Sequence, residues 1–277
     1  MKTLIPLLAV CSLLITAGSC QKDEPAPAPP DETGLVHVHF FHLVNEAPLE
    51  LDTMKYIPDG GVQFKVTDLQ YFISRITLYR HGGEPVVLSD GDSIRYIDLR
   101  LAETLDWPAA GTIAAGDYDS VAFNFGLDDK QNRSNRFPDP PERDMFWPEV
   151  LGGGYHHMKL NSVWKNCCTN IQSPFMMHLG TGQIYSSVTP DPDSIIGFVP
   201  NWFHVCLPAS SFTMATGDTL TIGIVMNIDH WFNGPPNPLD LDTLPQGIMQ
   251  NQALMQQVKE NGEGAFTIDF PIILYPH

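Results

Sequence analysis

LVHVHFFHL, residues 35–43, places Val36, Val38, Phe40 and His42 on one face of a strand, and His37, His39, Phe41 and Leu43 on the other. An apolar face of this kind has to be covered by a second layer. The alternation returns at 118–127, YDSVAFNFGL, where Val121, Phe123 and Phe125 alternate with Ala122 and Asn124, and at 220–228, LTIGIVMNI, where Leu220, Ile222, Ile224, Met226 and Ile228 share a face. Residues 62–68 and 69–79 are rich in β-branched and aromatic residues, and HGGEP at 81–85 is a turn into Val86, Val87 and Leu88, which predicts a hairpin. Further strands are expected at 93–99, 174–178, 182–188, 195–199, 202–207 and 264–274. Only 247–260, with Ile248, Met255 and Val258 at helical spacing and Gly262 as a stop, predicts a helix. The pattern implies an all-β fold, mainly an antiparallel β-sandwich, with one short C-terminal helix. Residues 127–144, LDDKQNRSNRFPDPPERD, form a polar loop longer than a connection needs, of the kind that is functional or mobile.

The chain has 277 residues, 43% of them hydrophobic, enough to bury one full core. Its formal charge of −17 repels nucleic acid and anionic headgroups and attracts cations. At the N-terminus, Lys2, the apolar run Leu4 to Ile15 and the small residues Ala17, Gly18 and Ser19 read as an export signal over residues 1–19. Cys20 directly after small residues resembles a bacterial lipobox, which implies lipidation there and anchorage to the outer membrane. The QKDEP that follows resembles the acidic tether of Bacteroidetes-type lipoproteins at the cell surface; a periplasmic face is the other expectation. Residues 20–33 are a Pro-rich acidic spacer, and 34–277 are expected to form a single domain. No catalytic motif of the G-x-S-x-G, H-E-x-x-H or Gly-rich phosphate type occurs, so the chain does not read as an enzyme.

Three cysteines remain beyond Cys20. In an oxidising compartment a disulfide is expected, and because adjacent cysteines bond to each other only under strain, Cys206 is paired with Cys167 or Cys168.

Residues 145–179, MFWPEVLGGGYHHMKLNSVWKNCCTNIQSPFMMHL, gather two Trp, three His, four Met and two Cys. Imidazole, thioether and thiolate are the donors that suit copper. Met and Trp also fill cores, and a His that closes an apolar strand face is commonly a satisfied core residue. His156 and His157 would point to opposite faces of a strand, so at most one of them joins His178.

Several separated stretches together resemble one family, the MbnP-like copper-binding domains. FFHLVNEAPLELD (40–52) and FKVTDLQYFISRITLY (64–79) resemble its opening, and GDYDSVAFNFGLDDKQNRS (116–134) its next segment. DMFWPEVLGGGYHHMKLN (144–161) is similar to its M-F-W and G-Y-x-x-x-K-L signature, and FMMHLG (175–180) to its F-x-x-H-L-G. IVMNIDHWFNGP, IMQNQALMQQVKEN and GAFTIDF resemble the closing elements. The chain departs from the pattern at Glu149, where the family has a second Trp, and at Asn161, where it has Glu. The resemblance implies copper held by two His beside an oxidisable Trp. Carried onto this chain, the ligands are His178 and His42, with His157 as a third, and the Trp is Trp147. The implied role is copper sequestration or delivery in the cell envelope, with a metal ion and a copper-handling protein as partners. The alternative is a non-catalytic binding module for a glycan, peptide or partner protein, for which Trp202 and Trp231 are the expected exposed aromatics.

Overall fold

The structure is a computed structural model. It describes residues 32–57, 62–89, 92–166, 168–207, 209–234, 236–241, 243–269 and 274–275. The expected export signal, Cys20, nearly all of the spacer and Cys167 lie outside the described residues.

The strands are β1 (Thr33–Val44), β2 (Ala47–Pro48), β3 (Gln63–Arg80), β4 (Val86–Val87), β5 (Ile94–Asp98), β6 (Asp106–Ala114), β7 (Gly116–Phe125) and β8 (Met158–Lys165). They continue with β9 (Gln172–Leu179), β10 (Gly182–Tyr185), β11 (Ile195–Val199), β12 (Phe203–Leu207), β13 (Phe212–Met214), β14 (Thr219–Asn227), β15 (Phe266–Asp269) and β16 (Leu274–Tyr275). Two α-helices occur among the described residues, α1 (Ile228–Asn233) and α2 (Gln252–Glu263). One sheet runs β15-β14-β1-β2, with β6 also on β1 and β16 on β14; the other runs β12-β7-β3-β8-β9, with β13 on β7 and β4 and β5 on β3. All these strand pairs are antiparallel except β1 with β14. The chain is therefore the mainly antiparallel, all-β sandwich that the alternation predicts. The interior holds the inward face of β1 with Leu220, Ile222 and Ile224 of β14 on one side, and Tyr71, Ile73, Phe123 and Phe125 on the other.

The two runs at 62–68 and 69–79 are one strand, β3. Its residues Tyr71, Phe72 and Ile73 are all buried, which alternation over a half-exposed sheet does not allow. The 127–157 segment explains this, because it folds back over the outer face of the β3 sheet as a third layer. There Phe72 packs with Ile94, Tyr96, Leu127, Met145 and Tyr155 in a second, smaller core. Phe137 stacks on Phe72 with ring centroids 5.4 Å apart, and its N–H donates to the Tyr155 hydroxyl at 2.8 Å. The polar loop is thus a packed cover, which supports the site described next.

Helix α2 starts later than the spacing suggests, because the Asn251 side chain caps it by accepting from the Leu254 N–H at 3.2 Å. Met255 and Val258 supply its buried stripe, while Ile248 is buried in the preceding turn. Helix α1 was not expected. It starts at the last residue of the apolar run at 220–228 and buries Trp231 and Phe232, so Trp231 is a core residue at 0% exposure and not the exposed aromatic that the sequence suggests. No helix among the described residues is long and apolar enough to cross a membrane.

Of the two disulfide pairings expected, the one between Cys206 and Cys168 is not formed, and the one with Cys167 falls on a residue outside the described ones. Cys206 lies on the exposed face of β12 with a free thiol, whereas Cys168 sits in the turn between β8 and β9. With two strands between them, β12 and β8 are separated by about 14 Å at the usual strand spacing. Bridged cysteines have Cα atoms within about 7 Å. A thiol reagent is expected to label Cys206 in the folded protein, and Cys206→Ser to remove that label. Protection of Cys206 until a reductant is added would contradict the placement.

Candidate metal centre

The register of β3, β8 and β9 decides which side chains can meet. Tyr71 pairs with Met158 and Met158 with Leu179, while Gln70 pairs with Lys159 and Lys159 with His178. Directly opposed residues share a face, so Tyr71 and Leu179 point into the sandwich and His178 points out from it, beneath the 127–157 cover. His42 lies on the inward face of β1 and shares a 2.9 Å hydrogen bond with the Tyr71 hydroxyl. His42, on β1 of the facing sheet, and His178, on β9, therefore lie on opposite sides of the β3 sheet. The expected pairing of His42 with His178 is not formed.

Burial explains His42 by itself. Enclosed in the core, with the more distant His39 adding to the effect, its imidazole is pushed down to about 3 from an ordinary 6.5. A folded value below the unfolded one means that the unfolded chain binds the extra proton first. The stability contributed by His42 is thus fully present above about pH 6.5 and is lost as pH falls toward 3. At pH 5 the loss amounts to roughly 2 kcal/mol, at about 1.4 kcal/mol per pH unit. Urea titrations at pH 7 and pH 5 are expected to show a smaller drop for His42→Gln than for the unaltered chain. Equal drops would contradict the assignment.

His157 does not join His178 either. Strand β8 begins at Met158 and the chain bends at His157, so alternation does not extend back to residue 157. His157 is 1% exposed, its Nδ1 accepts from the Leu127 N–H at 3.3 Å, and it lines a cavity away from His178.

The partner of His178 is His156. Their ring centroids are 5.2 Å apart with planes at 87°. Both the backbone N–H and Nδ1 of His156 point at the Met145 carbonyl, at 2.7 and 2.9 Å. That carbonyl can only accept, so the ring proton is on Nδ1 and the lone pair on Nε2. His156 Nε2 is buried without a hydrogen-bond partner among the described residues, a costly state for a polar atom in a protein interior. His178 has the complementary arrangement. Its Nε2 lies 2.8 Å from Asn161 Oδ1 and donates to it, which leaves the lone pair on Nδ1.

Two further residues shape the site. Trp147, fully buried, meets His156 edge-on at 4.7 Å between centroids and donates from Nε1 to the Leu151 carbonyl at 3.1 Å. A side chain at Gly180 would collide with the Trp147 indole, so the Gly of the H-L-G sequence is what lets this ring pack against the end of β9. The Lys159 ammonium is the nearby charge; its Nζ donates to the Asp144 carbonyl at 2.5 Å. Burial first, and Lys159 in addition, push His156 down to about 3 and His178 to about 4. Both rings are neutral near pH 7, the protonation state a metal requires.

A buried lone pair without a donor beside a second neutral imidazole fits a metal ion better than it fits a closed hydrogen-bond network. Imidazole suits copper, zinc, iron and nickel. Among the described residues no group of three or more His, Cys, Asp or Glu is placed to hold a metal, so the centre has two imidazoles and no carboxylate or thiolate in reach. The sequence singled out His178 and Trp147; it gave no reason to prefer His156 to His157, because the bend at 157 is not legible in an H-H pair.

Comparison with known proteins bears on the whole domain. No protein of curated function matches the chain. Among solved structures, MbnP from Methylosinus trichosporium is similar, with a TM-score of 0.49 and 16% identity over 75% of this chain and 80% of that one. The family model described as MbnP matches residues 33–250, and on that extent of match the chain belongs to the MbnP family.

Proposed function

We propose that this protein binds copper at His156 and His178 and holds it for sequestration or delivery in the cell envelope, anchored to the outer membrane through Cys20. The observation that carries this reading is the unpartnered, buried Nε2 of His156 in a ring 5.2 Å, centroid to centroid, from a second imidazole. Each residue has a role in binding. Met145 fixes the tautomer of His156 and Asn161 that of His178, so both lone pairs are set before the ion arrives. Trp147 excludes water from one side and is the indole that packs against the proposed ligand His156.

The surroundings favour a monovalent ion. The positive charge of Lys159 opposes a dication, and among the described residues no carboxylate joins the two imidazoles as a ligand. Two imidazoles suffice to hold such an ion, and the role read from them is custody of the metal. Protein purified from copper-supplemented cells is expected to carry about one copper per chain and to keep it against an excess of zinc. Copper-free protein, or ready exchange for zinc, would contradict the proposal. Intact-mass measurement of the same material reports lipidation at Cys20 and oxidation at Trp147.

A further inference from the structure

Beyond the His156–His157 peptide lies a cavity of about 290 Å³ whose polar atoms have fixed roles. His157 is one of its walls. Its Nδ1 accepts from the Leu127 N–H, so the ring proton is on Nε2, which has no protein partner among the described residues. Asp129 accepts from Trp202 Nε1 at 2.9 Å through Oδ1, which leaves its second carboxylate oxygen to accept. The Tyr155 N–H donates to Asn132 Oδ1 at 2.8 Å, which leaves the Asn132 amide N–H groups to donate. Thr181 contributes to the lining, and Phe198, Pro200 and Trp202 form an apolar side. Gly126, at φ +88°, allows the His157 ring to sit this close, since a Cβ there would overlap the imidazole.

This mixture selects the ligand class. A cation would satisfy Asp129 but face the donors of His157 and Asn132. An anion would satisfy those donors but face Asp129. Neighbouring hydroxyls both give and accept hydrogen bonds, and the C–H face of a sugar ring packs on an indole as other apolar surface does. The volume lies at the small end of ligand pockets, which start near about 300 Å³. We propose that this cavity binds one neutral pyranose residue, its apolar face on Trp202 and Phe198 and its hydroxyls between Asp129, Asn132 and His157. The site shares no residue with the metal centre and does not depend on copper.

The test is saturation-transfer NMR of the full chain with the methyl glycosides of glucose, galactose, mannose and N-acetylglucosamine, and with tetramethylammonium and acetate as charged controls. At least one glycoside is expected to receive saturation on its C–H face. Trp202→Ala is expected to lower that signal at least fivefold and Asp129→Asn at least threefold; Phe198→Ser, at an open rim position 52% exposed, provides a variant that leaves the core intact. Transfer to none of the four sugars, transfer that survives both Trp202→Ala and Phe198→Ser, or binding of a charged control lost in Trp202→Ala would overturn the proposal.

Discussion

Alanine at His156 or at His178 is expected to lower copper affinity at least about a hundredfold, since loss of groups that merely orient a ligand already costs about 10–100-fold. His42→Gln and His157→Gln are expected to leave it within about threefold, because those rings lie on the inward face of the β3 sheet and in the separate cavity. The contrast matters because the alternative ligand set, His42 with His178, predicts the opposite ranking for His42. Asn161→Ala is expected to fall between, since it removes the acceptor that fixes the His178 tautomer and leaves both ligands present. Titration against a competing chelator at pH 7, with circular dichroism to confirm folding, measures all five variants. Strong binding by His156→Ala would remove the centre proposed here.

The largest effect on stability is expected at Trp231. Its indole is fully buried and packs on Phe125, Phe203 and Phe266, with centroids 5.1, 6.2 and 6.3 Å away. Gly262 of α2 has no room for a side chain against the same ring, so sheet and helix both close on it. Truncating such a residue to alanine costs about 3–5 kcal/mol, which for a domain of this size lowers Tm by about 6–20 °C. Trp231→Phe is expected to cost far less than the lost volume suggests. Trp231 Nε1 is buried without a partner, and phenylalanine removes that unmet donor along with part of the ring. Thermal melts of the two variants decide this; equal losses for Trp231→Ala and Trp231→Phe would mean that the indole N–H has a partner in solution.

The layers were legible in the sequence because period-2 alternation is a local signal. Residues 35–43, 118–127 and 220–228 each show which face goes inward, and the sandwich follows from covering those faces. The third layer was not legible. Nothing in LDDKQNRSNRFPDPPERD announces that Phe137 stacks on Phe72, since a single aromatic in a polar run is no periodic pattern. Because the metal centre forms where that cover meets β8 and β9, the choice between His156 and His157 depended on a bend that alternation does not record. His178 and Trp147 could be singled out by residue type, while Asn161 and Met145, which set the tautomers, could not. A side-chain acceptor and a backbone carbonyl take those roles only through position. Trp231 failed for the converse reason: as an aromatic just past a strand it could equally face solvent or core, and α1 turns it inward.

Anomalous scattering from copper-loaded crystals, collected on both sides of the copper edge, tests the central claim most directly. The account predicts one peak within bonding distance of His156 Nε2 and His178 Nδ1, beside the Trp147 ring. A peak at His42 or His157 instead, or no peak from protein that had been offered copper, would contradict it.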